Sequence, residues 1–224
     1  MARAVPPKRR RSMSDEVADH IRERIFDGSL ARGQRVPQDA IAAELGVSRL
    51  PVREALITLE TEGLVDSEPH RGTFIVPIRQ EDIEDHYRIY GMVQGLATAR
   101  AATRITEPVL RKLEELHEQM QRSADGDELH DLNWEFHALI NKTGGSRRLL
   151  SVLRQLSRNL PRSVYEVPSD GGQEANKGHA RILEALRDGD AAAADAASRE
   201  HVRLEGDHVV RTLREQGVLA DDAF

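Results

Sequence analysis

The sequence predicts a mainly α-helical chain: an N-terminal winged helix-turn-helix followed by a C-terminal antiparallel all-α helical bundle. Three observations carry this. Before residue 78 the local patterns run helix, helix, turn, helix, hairpin. Beyond residue 79 only helix-period patterns occur, broken by short polar or Gly/Pro-rich stretches. Alanine, leucine, glutamate and arginine are abundant while aromatics make up 4% of the 224 residues, a helix-forming composition.

Residues 1–13 form a basic arm with two prolines and no periodicity, expected to be disordered. Ser14 is the expected cap of a helix over about 15–27, with Val17, Ile21 and Ile25 on one stripe and Gly28 ending it. "ARGQRVP" is a connector. A short helix over about 38–45 buries Ile41 and Leu45, and Gly46 makes the turn. Ser48 caps a third helix, about 49–62, which buries Val52, Leu56 and Leu59. Pro51 sits in its first turn, where a missing N–H breaks no intrahelical bond. "LVDS" and "TFIVP", joined by "EPHRG", read as a hairpin. Pro77 marks the boundary, giving a winged helix-turn-helix domain over 14–77. Six helices follow at about 79–103, 107–123, 128–142, 147–160, 173–187 and 191–215. They make a domain over 78–216, with 217–224 as a tail. Their short connections imply an antiparallel bundle.

The chain has no cysteine, which excludes disulfides and thiolate metal sites. No apolar run is long enough to span a bilayer, and "KRRR" leads into polar "SMSDE" rather than a signal-peptide core. A cytoplasmic protein is expected. The net charge is −6, yet residues 1–77 balance, with 12 Lys/Arg against 12 Asp/Glu. A neutral domain binds DNA if its basic groups share one face.

"GVSRLPVREAL" provides such a face. Arg49 and Arg53 lie four residues apart on the first turns of the third helix, where a recognition helix meets base edges. Arginine bonds guanine O6 and N7 with two parallel donors. Ser48 and the helix N-terminus suit a phosphate. The hairpin tip His70-Arg71-Gly72 reads as a wing reaching the minor groove. Exposed arginines on an ordinary helical domain are the plain alternative.

The stretch "GQRVPQDAIAAELGVSRLPVREALITLETEGLVDSEPHRGTFIV" resembles the winged helix-turn-helix of the GntR family of bacterial regulators, over about residues 14–77. The resemblance implies that Arg49 and Arg53 contact DNA, with Ser48, Arg71 and Gly72 supporting; His70 joins them only through its place in the wing. The family pattern often carries arginine where this chain has Asp39, so that phosphate contact does not transfer. Arg35, nearby, is expected to help grip the backbone.

In the helical half, His137, His179 and His201 each lie on the apolar stripe of a different helix, and Asn133 precedes His137 by four residues. Neutral imidazoles with an oxygen donor suit zinc, nickel or another divalent metal. Each histidine alone is more often a satisfied core residue than a ligand, and spacing does not show that three helices converge. "NWEFHALI" and "GHARILEALRDGDAAAADAASREH" are similar to the FCD domain, the ligand-binding partner of the FadR subfamily of GntR regulators. That resemblance implies that Asn133, His137, His179 and His201 are metal ligands, zinc foremost. The family more often has aspartate where Asn133 stands, so one ligand charge is lost. On the first helix of this half the stripe Ile83, Tyr87, Tyr90, Gln94, Ala97 and Ala101 faces the core. Family pattern places Arg and Glu at the positions of Tyr90 and Gln94. Tyr90 and Gln94 are therefore expected at an effector site; either the effector is less anionic than the small organic acids many relatives bind, or Arg100, Arg154 or Arg158 substitutes for the missing arginine towards a carboxylate. Simple packing of Tyr90 and Gln94 is the alternative. Trp134 is expected in the core or an interface.

Together these imply a homodimeric regulator, a repressor by family habit, on a pseudo-palindromic double-stranded operator and controlled by a small-molecule effector. The alternatives are a metal-responsive regulator, a structural metal site or a metal-dependent hydrolase. No general base or nucleophile accompanies the histidines to favour hydrolysis.

Overall fold

The computed structural model describes residues 12–123, 125–161, 164 and 171–220, and only the backbone of 171–175. Arm residues 1–11 and tail residues 221–224 lie outside them. The chain divides into two compact units between Ile78 and Arg79.

The first unit contains α1 (Met13–Phe26), α2 (Gln38–Glu44), α3 (Arg49–Thr61), β1 (Val65–Glu68) and β2 (Gly72–Ile75). Ser12, not Ser14, is the cap of α1. Its Oγ accepts from the Asp15 N–H, and Asp15 accepts from the Ser12 N–H, a reciprocal box that satisfies two otherwise unbonded donors. Ser12 and Met13, assigned to the arm from sequence, thus belong to the helix. Val17, Ile21, Ile41, Val52 and Leu59 are fully buried, as the stripes predict, while Leu45 is only half-buried. Gly46 turns the chain between α2 and α3 with φ of 64°, a left-handed conformation that favours glycine.

β1 and β2 pair antiparallel, Val65 opposite Ile75 and Glu68 opposite Gly72. The connector before α2 adds a third edge: Val36 N–H donates to Thr73 O at 2.8 Å and Ile75 N–H to Gln34 O at 2.9 Å. A buried ion pair locks the base of this unit. Arg22, 3% exposed, donates to both carboxylate oxygens of Glu62 at 2.9 Å. Replacing Glu62 by alanine leaves that buried guanidinium with Asp19 alone, 2.6 Å from its Nη1, and breaking such a pair costs up to about 3–5 kcal/mol. A urea melt of Glu62→Ala is therefore expected to show early loss of the first unit; an unchanged midpoint would contradict the pair's role.

The second unit contains α4 (Gln80–Ala102), α5 (Glu107–Arg122), α6 (Gly126–Gly144), α7 (Arg147–Leu156), α8 (Gly171–Arg187) and α9 (Ala191–Glu215). α4 and α9 pack along much of their length, and α8 returns against α9 and α5. Close approach of α4 and α9 rests on small residues: a side chain at Gly206 would run into the Tyr87 ring. Thr98 bonds Ser198 at 3.1 Å inside this seam. Leu113, Leu116, Phe136, Ile140, Ile182 and Leu186 fill the core between α5, α6 and α8. α6 starts two residues earlier than its periodicity suggests, because Asp125 accepts from the N–H groups of Asp127 and Glu128. α7 ends at Leu156, four residues short of expectation. Trp134 is 52% exposed, which excludes the core, the first of the two positions expected for it, and leaves the interface alternative. It lies two residues from Phe136, almost opposite the buried stripe.

Candidate metal centre and nucleic-acid interface

Three helices each place one imidazole at a common point. Phe136 and Ile140 anchor α6 in the core and present His137 between them. Ile182 and Leu186 anchor α8 and present His179 one turn earlier. The turn at Gly189 and the cap by Asp190 reverse the chain so that α9 returns His201 beside it. One ligand nitrogen from each histidine lies within 4.8 Å of the others. His137 Nε2 is 3.2 Å from His201 Nε2 and 3.4 Å from His179 Nε2. Four ligands around an ion with bonds of about 2.0–2.1 Å stand about 3.3–3.4 Å apart. The two separations from His137 therefore already match those of a first coordination sphere. Lone pairs so placed repel one another unless a proton or a cation sits between them.

The surroundings fit a cation too. Asn133, one turn before His137, keeps a buried Oδ1 without a hydrogen-bond partner among the described residues. A buried acceptor left unbonded is costly, and a metal or a metal-bound ligand would satisfy it. A side chain on Gly178 would collide with the His201 ring, so glycine is what lets α8 and α9 bring His179 and His201 together. Burial, reinforced by the neighbouring His201, pushes His137 down to about 4, with Glu205 opposing. Burial and the adjacent imidazoles hold His179 well below its usual value. Both rings are neutral at pH 7, the form that binds metal.

The same shift fixes the acid response of the metal-free protein. The unfolded chain takes up a proton on His137 near its ordinary 6.5, while the folded chain resists until about 4. Stability is thus full above pH 6.5 and falls as pH drops towards 4, by about 2–3 kcal/mol from His137. His179 acts in the same direction. Melting temperatures in chelator should fall across that window, and His137→Asn should flatten the slope; a pH-independent Tm would contradict this.

Of the residues expected at an effector site, the structure brings Gln94 to the histidines. It is 1% exposed, with Nε2 3.5 Å from His137 Nδ1 and Oε1 accepting from Asn141 Nδ2 at 3.1 Å. Tyr90 is half-buried beside His86, with ring centroids 6.3 Å apart. Arg100 is half-buried on α4. Arg154 and Arg158 are exposed, and Arg154 donates to the Leu150 carbonyl of its own helix.

Three neighbours escaped the sequence reading. His117 is buried with its ring 6.0 Å from His179 and bonded to Gln121. Asn141 holds Gln94. Glu205 reaches His201 Nε2 at 3.2 Å. Its signal was present, since it follows His201 by one helical turn.

In the first unit, Arg49 and Arg53 are both exposed on the first two turns of α3, with Leu50 beside them 63% exposed. Ser48 occupies the N-cap position and its side chain makes no cap hydrogen bond. Arg49 grips Asp39 of α2 with two contacts, Nε to Oδ1 at 2.6 Å and Nη2 to Oδ2 at 2.8 Å. At the wing, His70 adopts a positive φ of 63° and Gly72 one of 113°. A Cβ on Gly72 would lie 2.5 Å from Arg35 Nε, so the missing side chain is what admits Arg35 to the hairpin tip. Arg71 turns back on Glu68 and lies over the Phe74 ring, 5.6 Å from its centroid. Arg35, His70, Arg71 and Gly72 are thus clustered, while Ser48, Arg49 and Arg53 occupy the start of α3.

Among the described residues, a three-helix head with a two-stranded wing, and a six-helix unit enclosing a histidine cluster, define a winged helix-turn-helix followed by an all-helical unit. The chain belongs to the GntR family of bacterial regulatory proteins: residues 13–75 match the family described as "Bacterial regulatory proteins, gntR family", and residues 85–204 match the FCD domain. It is 33% identical over 151 residues, 67% of its length, to an uncharacterized HTH-type transcriptional regulator of Mycobacterium tuberculosis. That match spans 62% of the relative's own length. It is 28% identical over 200 residues to the probable D-xylose utilization operon transcriptional repressor of Paenarthrobacter nicotinovorans, covering 86% of this chain and 87% of that one. It is 27% identical over 211 residues to the HTH-type transcriptional repressor RspR of Escherichia coli, 91% of each. Among solved structures, E. coli McbR/YncC shares the fold, with a TM-score of 0.66, 23% identity and coverage of 92% of this chain and 99% of that one.

Proposed function

We propose that this protein is a sequence-specific DNA-binding transcriptional regulator, acting as a repressor, whose operator affinity is set by a small-molecule effector in a metal-containing helical domain. The observation that carries the reading is the exposed Arg49–Arg53 face at the start of α3, within a GntR match. Arg49 and Arg53 read guanine edges in the major groove, and Leu50 offers an apolar contact to a thymine methyl. Ser48 and the N-terminus of α3 hold a phosphate. Arg35, His70, Arg71 and Gly72 steady the wing against the backbone and the minor groove. The repressor relatives support the sign of regulation.

Two recognition helices on a pseudo-palindromic operator require a homodimer. Its support is the stripe Ile89, Met92 and Leu96 on α4, large apolar side chains left 43–51% exposed on one helix face. His137, His179 and His201, with Asn133 beside them, would hold zinc or another divalent ion. Such an ion supplies an open position for an oxygen donor, a carboxylate foremost, on the effector. Gln94 holds His137 from the α4 side, so a ligand that displaces Gln94 also moves that ring. Tyr90 and Arg100 line the same helix, and Arg154 and Arg158 stand as the exposed cationic alternatives. The effector changes operator occupancy only by binding the DNA-competent and incompetent states with different affinity. No helix among the described residues is long and apolar enough to cross a membrane.

Selection from a random duplex library by the full chain, with and without zinc, tests this. Enrichment of one inverted repeat supports the reading. Capture without sequence preference in both conditions overturns it. Enrichment that zinc alone switches on or off makes the protein a metal-responsive regulator.

A further inference from the structure

We infer that Glu205, not Asn133, is the anionic ligand of the metal centre. The inference rests on the metal reading above and adds to the ligand set a residue from the last helix. Asn133 offers only a neutral carbonyl, so the histidines and Asn133 together leave a divalent cation with no compensating charge. Glu205 supplies it from α9, one turn after His201 and on the same face.

The atoms involved decide between a ligand and a mere support. A carboxylate that only orients a metal-bound histidine accepts from the ring nitrogen pointing away from the metal. Glu205 does the opposite. Its Oε1 lies 3.2 Å from His201 Nε2, the nitrogen that stands 3.2 Å from His137 Nε2 inside the cluster. The carboxylate stands outside the group of three histidine nitrogens that lie within 4.8 Å of one another, so it has to swing inward to complete the sphere that the 3.2 and 3.4 Å separations begin. The side chain is 25% exposed, so the carboxylate has room to move. Three rotatable bonds let it turn from the nitrogen onto an ion. Three imidazoles and one carboxylate would give four protein ligands, with a fifth position left for the effector oxygen beside the buried Oδ1 of Asn133.

The test is zinc affinity of the full chain, read by competition with a chromophoric chelator, together with the visible absorption of the cobalt-loaded protein. Far-ultraviolet circular dichroism checks that each variant is folded. Glu205→Gln keeps the shape of the side chain and removes its charge. It is expected to weaken zinc binding at least about tenfold and to change the cobalt spectrum. Asn133→Ala is expected to weaken zinc binding less than Glu205→Gln does and to change the cobalt spectrum less. Asn133→Asp placed on Glu205→Gln is expected to restore binding, because it returns the charge from the other side of His137. The inference is overturned if Asn133→Ala is the damaging change, or if Glu205→Gln lowers affinity without altering the cobalt spectrum. If the unaltered protein and His179→Ala take up equally little zinc, the metal reading itself fails and takes this inference with it.

Discussion

Arg49→Ala and Arg53→Ala should each abolish specific operator binding while leaving the fold and the helical unit intact. The fold is spared because both side chains project into solvent from the first two turns of α3, and exposed substitutions usually change stability by no more than about 0.5 kcal/mol. Binding is not spared. Each bidentate arginine–guanine contact is worth about 1–3 kcal/mol of discrimination against the wrong base, so the double variant should retain only the sequence-independent grip on phosphates. Anisotropy titrations on the selected duplex and a scrambled one, at one salt concentration, separate the two terms. The ratio of the affinities should collapse towards one, with the scrambled-duplex affinity reduced much less. Unchanged footprints in both single variants would sink the assignment of α3 as the recognition helix.

Elemental analysis of the purified protein should find about one divalent ion per chain, and His179→Ala should lose it. His179 is 2% exposed, its ring packs 4.7 Å from Phe136 between centroids, and it faces His137 across the cluster. Removing one of three imidazoles leaves too few nitrogens to compete with water for the ion. Metal binding to the folded state also raises stability, by about 2.7 kcal/mol when free ion is a hundredfold above its Kd. Zinc should therefore raise the melting temperature of the unaltered chain and leave that of His179→Ala unchanged. The variant also opens a cavity, so its zinc-free melting point is the proper baseline. Absence of metal after incubation with zinc or nickel, with no thermal shift, would mean that the histidines pack as a core cluster.

The helices were legible because long amphipathic stripes dominate local signals. Ile83, Tyr87, Gln94, Ala97 and Ala101 mark the buried face of α4 almost without exception. Features that depend on partners distant in sequence were not. The third edge beside β2 involves only residues 33–36, too few for any periodicity. The bond between Arg22 and Glu62 joins residues forty positions apart. The three histidines could be placed on apolar stripes, but only packing shows that α6, α8 and α9 aim them at one point. Glu205 and Trp134 are different. Helical spacing alone puts Glu205 one turn from His201 and Trp134 off the stripe of Phe136, and those positions could have been read from the sequence.

The pairing of Arg49 with Asp39 has a kinetic consequence. A protein looking for one operator spends most of its time on irrelevant DNA, held there by arginines and lysines that displace counterions from phosphates. An arginine already neutralised by an adjacent aspartate displaces fewer. Its guanidinium is also held in one orientation, ready to exchange two oxygens of Asp39 for two acceptors of a guanine. Asp39→Ala should therefore steepen the salt dependence of binding to random DNA, by up to about one counterion, and lengthen each futile visit. Asp39 would then act as a brake on stickiness: fast sampling of wrong sites, at the expense of some grip on the right one.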